Sequence, residues 1–459
     1  MFHRFHVNQD DRDYLRFLWW ENGDTSSEPK EYRMKVHLFG AASSPGCANY
    51  GMKYLASQNE NEYPAAANFI RKNFYVDDGL ISVDSVEAAI RLVGEVQDVC
   101  SRGKLHLHKF ISNSREVLES FPDTKRAKQE LNDVDLSYNE LPIQTVLGIR
   151  WNVKSDTFSF KVALDEKPTT RRGILSTVAS MFDPLGFLAP FLLLGKQIQQ
   201  EMCQRGIGWD EPLPTEIKPQ WDSWLNDLKK LQQLQISRCL VLEDPSKVLN
   251  VELHHFSDAS SHGYGQCSYM RVVSGDRVHC FLVIGKARVA PTKIVTIPRL
   301  ELTAAVVSAA ISSMLREELE LKIDEEYFWT DSQVVLGYIN NEAKRFHVFV
   351  ANRVQRIRET TNPAQWYYVE TDQNPADHAS RGLKVEELMN SSWFTGPKFL
   401  WEREIVTPKS TPKILIGDPE VKTIQTLQTQ AEKEDRFIER FERFSKWNTA
   451  INVLFGSRN

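Results

Sequence analysis

The chain has 459 residues, of which 41% are hydrophobic and 25% are charged, so it is long enough for about two to four globular domains. Its formal net charge of −5 excludes nucleic-acid binding through bulk positive charge and leaves only local basic surfaces for that purpose. The six cysteines are scattered without a CxxC pair, which argues against a zinc knuckle and against a disulfide framework.

The N-terminal region, residues 1–160, predicts short strands and helices. Its first residues contain no apolar signal core, which indicates an intracellular protein of the cytoplasm or nucleus. Residues 36–48, VHLFGAASSPGCA, predict a strand that enters a turn. Apolar residues at helical spacing predict a helix over 83–100, and LHLHKFIS and VLGIRWNV predict two further strands.

Within this region, residues 73–83 read NFYVDDGLISV and place two adjacent acids between runs that favour strands. This pattern predicts a hairpin in which Asp77, Asp78 and Gly79 form a tight turn. Asp and Gly suit turns for conformational reasons alone, so the pattern by itself leaves open whether the two carboxylates bind a divalent metal.

Residues 161–245 predict a mainly helical segment. Its apolar run over 185–194 is too short to span a bilayer, so we expect no membrane contact. The strand patterns VELHHFSD, GQCSYMRVV and VHCFLVIGKARV then lead to a long Ala-rich helix, the short strand YFWT and further helices. The tail is polar until apolar positions predict an amphipathic helix over 437–455.

Four acids of the second half lie at predicted strand ends and helix starts. Taken singly, Asp258 suits a turn, Asp331 an N-cap and Asp377 a helix dipole, whereas Glu301 lies on an otherwise apolar helix face and lacks such an explanation. In a central mixed sheet the two strand ends and the first helix can converge on one edge, where clustered carboxylates repel one another unless cations neutralise them. Hard oxygen ligands select Mg²⁺ or Mn²⁺, and a pair of such ions suits phosphodiester hydrolysis.

Several motifs in order resemble those of a Pao/BEL-type retrotransposon pol polyprotein. FSDAS, RLEL, WTDSQ and NPADHASRG are similar to the four acidic motifs of a retroelement ribonuclease H. FGAASSP, YVDD, LHKFISN and VLGIRWN resemble successive motifs of a reverse-transcriptase palm, and RRGILSTVASMFDPLGFLAP is characteristic of the Pao/BEL class. The resemblance implies an α/β (α+β) chain with a partial palm over 1–160, a helical thumb or connection over 161–245, an RNase H-like mixed β-sheet domain with flanking helices over 246–385, and a linker towards an integrase over 386–459.

For the ribonuclease H part, the resemblance implies cleavage of RNA in RNA–DNA hybrids. It assigns two Mg²⁺ or Mn²⁺ ions to a metal site with four catalytic ligands, Asp258, Glu301, Asp331 and Asp377. Contacts to the hybrid are assigned more weakly to Arg299, Ser332, Gln333, Arg353, Arg356 and Arg358. The last three belong to a basic run, for which a solvated helix face is the commoner origin. The stretch VETDQNPAD lacks the His that many such domains carry before the last Asp, so we expect slow turnover.

For the palm, the resemblance implies an RNA template and a DNA primer as partners. It assigns metal ligation to Asp77 and Asp78 and substrate contacts to Gly40, Ser44, Pro45, Lys109 and Gly148. The first catalytic Asp of the family would fall just before Met1, so we expect no DNA polymerisation by this chain alone. No D-[ST]-G loop occurs, so no protease activity is assigned, although the family is also catalogued as a peptidase. The alternative to an active nuclease is a decayed relic or a host-recruited nucleic-acid-binding protein.

Overall fold

The computed structural model describes residues 1–75, 78–126, 143–146, 149–162, 167–238, 248–408, 414 and 416–422. Asp77 and Gly148, to which functions were assigned, and the predicted helix over 437–455 lie outside the described residues. Described helices and strands of the first 160 residues are β1 (Arg16–Trp19), β2 (Lys30–Arg33), α1 (Ser44–Gln58), α2 (Pro64–Lys72), β3 (Phe74–Tyr75), β4 (Asp78–Gly79), α3 (Val86–Arg102), α4 (Arg115–Glu119), β5 (Ile143–Val146), β6 (Ile149–Asn152) and β7 (Thr157–Ser159).

The N-terminal helices pack around one small apolar cluster. Met52 of α1, Ile70 of α2 and Val96 of α3 are almost completely buried in it. Strands β3 and β4 pair antiparallel next to these helices, with Tyr75 opposite Asp78. Asp78 therefore belongs to the second strand of the hairpin and not to its turn, which differs from the expected Asp-Asp-Gly turn.

The strand expected over 105–112 does not form. Lys109 adopts a backbone φ of 66°, and Lys104 just before this stretch adopts 56°. These left-handed conformations are incompatible with a continuous extended chain. Phe110 consequently forms only an isolated bridge with Arg126.

The segment that the sequence predicts as helical contains α5 (Arg171–Ala179), α6 (Ala189–Gln204) and α7 (Lys218–Lys230), followed by the short strand β8 (Ile236–Ser237). Asp183 shapes the turn between α5 and α6, because its carboxylate accepts the backbone N–H groups of Phe187 and Leu188 at 2.9 and 2.8 Å. Gly186 has a φ of 72° in this turn, and a Cβ there would collide with the backbone carbonyl of Gly285. The turn therefore lies directly against the sheet described next.

The second half forms a five-stranded mixed sheet in the order β11-β10-β9-β12-β13. Strands β9, β10 and β11 are a long antiparallel meander, whereas β12 runs parallel to β9 and β13 runs parallel to β12. The bounds are β9 (Val248–Ala259), β10 (Gly263–Ser274), β11 (Arg277–Val289), α8 (Ile297–Glu318), β12 (Glu325–Thr330), α9 (Gln333–Asn340), α10 (Val348–Thr360), β13 (Trp366–Tyr368), α11 (Asp377–Arg381) and α12 (Val385–Asn390). A mixed sheet with flanking helices confirms the predicted fold class.

Helices cover both faces of this sheet. Alternate side chains of a strand point to opposite faces, so Leu253 packs with Leu315 of α8 on one face. On the other face, Phe256 belongs to a cluster with Phe191 of α6 and Trp393.

That cluster contains residues from 160 to 400 and therefore spans both sides of the predicted boundary at 245/246. The division into domains stays a prediction.

Candidate active site at the sheet edge

Two of the four predicted metal ligands lie at the ends of neighbouring parallel strands. Asp258 is the penultimate residue of β9, and Asp331 follows the last residue of β12. Ser257 pairs with Thr330 in the parallel register, so the two acids come one position later on adjacent strands. Parallel strands end at the same edge of a sheet, and the chain therefore brings both carboxylates together there.

The other two acids reach this edge from helices. Pro298 lies in the first turn of α8, where its missing N–H costs no hydrogen bond, and Glu301 follows one turn later. Asp377 begins the short helix α11, which packs against β9 and β10. Asp331 lies close enough to Asp258 and Glu301 to raise the pKa of both, and Asp377 also raises the pKa of Asp258.

Ionisation of these carboxylates is unfavourable in the absence of a cation. Burial, together with repulsion from Asp331 and Asp377, raises the pKa of Asp258 to about 6 against the lowering effect of a hydrogen bond from Ser380. Burial likewise raises the pKa of Glu301 to about 7, with added repulsion from Asp331 and Asp258. A cation placed among these groups would relieve both the desolvation and the repulsion.

Each of the four carboxylates also accepts a hydrogen bond from a polar neighbour. Such bonds fix the orientation of side chains that would otherwise turn away from one another. The pairs are Ser380 with Asp258, Ser332 with Glu301 at 2.7 Å, Asn374 with Asp331 at 3.3 Å, and Arg381 with Asp377.

The donor set suits a hard divalent cation in kind, since it consists of carboxylate oxygens without sulfur or imidazole. Within the described parts of the chain, however, no group of three or more His, Cys, Asp or Glu side chains has the spacing of a formed metal site. The acids therefore fit Mg²⁺ or Mn²⁺ by chemistry and charge, and their side chains would have to close inward to hold an ion.

The residues predicted beside the ligands have diverse surroundings. Ser332 is buried and caps α9, because its hydroxyl accepts the N–H of Val335 at 3.2 Å while donating to Glu301. Gln333 is exposed at the first position of α9. Arg299 forms an ion pair with Glu420 at 2.5 Å. Their contacts with a hybrid stay predictions.

The three arginines predicted to contact phosphate lie on α10 but differ in their partners. Arg358 donates to the backbone carbonyls of Ile339 at 2.9 and 2.6 Å and of Asn341 at 2.8 Å. Arg353 lies 3.5 Å from the ring centre of Phe349 and donates to Thr303. Arg356 is exposed on the same helix. Arg356 is thus the one of the three best placed for a partner outside the chain.

Only some of the predicted palm residues lie at the start of α1. Gly40 has a φ of 85°, Ser44 is completely buried at the first position of α1, and Pro45 follows it. Lys109 is exposed in the segment that follows α3, and Asp78 is exposed in β4. Their functions stay predictions.

Two adjacent histidines of β9 are part of a buried polar network. His254 bonds Glu252 at 2.9 Å through Nε2 and accepts the indole N–H of Trp329 at 3.2 Å through Nδ1. His255 bonds Glu326 at 3.0 Å. The signal in the sequence was a strand, VELHHFSD, that places titratable side chains at three of four neighbouring positions of an otherwise buried element.

No helix in the described ranges combines the length and the hydropathy that crossing a membrane requires.

Residues 170–332 match the family model described as Pao retrotransposon-like RNaseH-like domain. The matched segment begins just before α5 and ends at the N-cap of α9, so it includes Asp258, Glu301 and Asp331 but not Asp377. No curated protein matches the chain.

Proposed function

We propose that this retrotransposon-derived chain, whose residues 170–332 match a Pao retrotransposon-like RNaseH-like domain, is a nuclease that cleaves the RNA strand of RNA–DNA hybrids. The observation that supports this proposal is the convergence of Asp258, Glu301, Asp331 and Asp377 at one sheet edge. The family description points to nucleic acid as the substrate class, and the acidic cluster points to hydrolysis.

The four acids would hold Mg²⁺ or Mn²⁺, two ions by analogy with other nucleases of this type. Bound divalent cations supply the Lewis acid that hydrolysis of a phosphodiester requires. The chain itself contributes a desolvated set of oxygens, of which Asp258 and Glu301 have pKa values raised to about 6 and about 7. These two side chains release protons when a cation binds.

Recognition of the hybrid requires contacts to phosphates and to the 2′-hydroxyl that distinguishes RNA from DNA. The exposed positive side chains near the start and middle of α10, Lys344, Arg345 and Arg356, offer phosphate contacts in spite of the net charge of −5. Binding through such groups weakens steeply as salt rises, because it depends on counterion release.

The proposal is tested with the purified full chain and a labelled RNA–DNA hybrid. We expect cleavage of the RNA strand that requires Mg²⁺ or Mn²⁺, with the matching DNA duplex left intact. Asp331→Asn removes one carboxylate with almost no change in volume and should lower the cleavage rate at least a hundredfold, while Asp372→Asn, at an exposed acid before α11, should not.

A folded wild-type chain that binds the hybrid but cuts it with neither metal would contradict the proposal. That result would favour the alternative of a hybrid-binding protein without nuclease activity. Loss of cleavage in Asp331→Asn together with retained hybrid binding and an unchanged melting temperature would support catalysis at this cluster.

A further inference from the structure

We infer that Asn374 and Ser380, on either side of Asp377 in one short segment, position the carboxylates of Asp331 and Asp258 for cation binding. Both are positioning residues in this inference, since each acts through an acid that would hold the ion. The inference rests on the proposed function, and it assigns roles to two residues of the fourth acidic motif other than its acid.

Ser380 attaches α11 to the end of β9. Its side chain is completely buried, and its hydroxyl donates to Asp258 Oδ2. Its carbonyl accepts the hydroxyl of Ser260 at 2.8 Å, two residues beyond Asp258. Ser380 thus binds the carboxylate of Asp258 directly and also binds the turn that follows this acid.

Asn374 joins the ends of β9 and β12. It is 3% exposed, and its amide nitrogen donates to the carbonyl of Ser257 at 3.2 Å and to Asp331 Oδ1 at 3.3 Å. Its amide oxygen accepts the N–H of Ala376 at 3.1 Å. Both donor hydrogens and one acceptor site of this buried amide are thus used, which fixes the orientation in which it meets Asp331.

Neutral donors suit this function better than charged ones. A hydroxyl or amide N–H fixes one oxygen of a carboxylate without supplying a positive charge that would compete with a divalent cation. Close packing fixes the segment itself, since a Cβ on Gly265 would lie 2.6 Å from the Cβ of Ala379. Residues 374–381 consequently bring a fourth acid to the site and orient two others.

The test measures Mn²⁺ affinity of the full chain by calorimetry in the absence of nucleic acid. Thr and Val have nearly the same shape, so Ser380→Thr and Ser380→Val add the same volume and differ in the hydroxyl. We expect Val to weaken Mn²⁺ binding about tenfold or more relative to Thr. Asn374→Leu, which removes the donor at similar volume without adding a charge, should also weaken it, and Ser101→Ala on α3 should not.

Cleavage assays on the same proteins separate positioning from general damage. In Ser380→Val the Mn²⁺ concentration for half-maximal rate should rise about tenfold, while the rate at saturating Mn²⁺ stays within a few-fold of wild type. Equal Mn²⁺ affinities of the Thr and Val variants, with wild-type cleavage intact, would overturn this inference and leave the proposed function standing. A wild-type chain that neither binds Mn²⁺ nor cleaves would overturn both.

Discussion

Glu301 shows how the ionisation of one buried carboxylate affects the stability of the fold. Its folded-state pKa of about 7 lies above the ordinary value of 4.5, mainly because of burial. A raised folded pKa means that the stabilising contribution is complete below pH 4.5 and is lost as the pH rises through 7. The ionised side chain therefore destabilises the metal-free fold above neutral pH.

Glu301→Gln should accordingly stabilise the metal-free protein at pH 8 by about 1–3 kcal/mol and abolish cleavage. The amide keeps an oxygen for the hydroxyl of Ser332 but carries no charge. Denaturant unfolding in EDTA measures the effect, which should vanish about one pH unit below 4.5, where Glu301 is protonated in both states. Glu317→Gln, at an exposed acid on the same helix, is the control and should change stability at neither pH.

His254 has the opposite dependence on pH. Complete burial lowers its pKa to about 4, since the charged imidazolium is poorly solvated there. A lowered folded pKa of a base means that its stabilising contribution is complete above the ordinary value of 6.5 and is lost as the pH falls towards 4.

Wild type should therefore lose about 2 kcal/mol of unfolding free energy between pH 7 and pH 5 through this residue. His254→Gln can still donate to Glu252 and accept from Trp329, but it does not titrate. Its unfolding free energy should change less over this interval. The difference from wild type reports the titration of His254, because the two proteins share every other titratable group. Parallel pH profiles of the two proteins would contradict the assignment.

At the scale of secondary-structure elements, α10 carries arginines of two kinds. One kind binds other parts of the chain, and the other is exposed and available to a partner. Arg358 binds the last carbonyls of α9, where a cation also complements the helix dipole. Arg356 lies exposed on the same helix. The sequence pattern places all the arginines in one basic run and cannot distinguish the two kinds.

Arg356→Gln should reduce the slope of log affinity against log salt for hybrid binding by about 1, as expected for the loss of one phosphate contact. Arg358→Gln should leave the slope unchanged and destabilise the fold by about 1–2 kcal/mol, because it leaves carbonyls without a donor. Filter binding at several salt concentrations and denaturant unfolding give the two quantities. A slope unchanged in Arg356→Gln would identify this position as a solvated helix face.

The elements that the sequence predicts well are those with a strong period or a clear start signal. Helix α8 has both, since Pro298 starts it and Ala and Leu residues continue it, and this placed Glu301 correctly one turn inside. The strand expected over 105–112 failed because its alternating side chains carry no sign of the left-handed backbone at Lys109. Hydrogen bonds such as that of Asn374 join positions far apart in the chain and have no local signature.

At the scale of the whole molecule, the sheet depends on segments well outside the matched family region and outside 246–385. Trp393 and Leu400 are completely buried in the cluster that also contains Phe191 of α6. The indole N–H of Trp393 donates to the carbonyl of Phe187 at 2.9 Å, so the segment after α12 contacts the turn before α6.

A fragment of residues 167–408 should therefore fold cooperatively, whereas a fragment of residues 248–383 should not. The shorter fragment exposes the apolar face around Phe256 that α6 and Trp393 cover, and each uncovered large side chain costs about 1.5–3 kcal/mol. Thermal unfolding followed by circular dichroism compares the two. A sharp transition in the shorter fragment would show that the sheet and its own helices suffice.

The contacts of Arg271 have a consequence for how a longer polyprotein could be cut. This guanidinium is 1% exposed; it binds both oxygens of Glu252 at 2.9 Å and donates to the carbonyls of Leu400 at 2.8 Å and Arg403 at 2.9 Å. Proteolysis before 400 would strip away these acceptors and leave a buried cation short of partners. A cut on the C-terminal side that preserves these contacts therefore lies beyond Arg403.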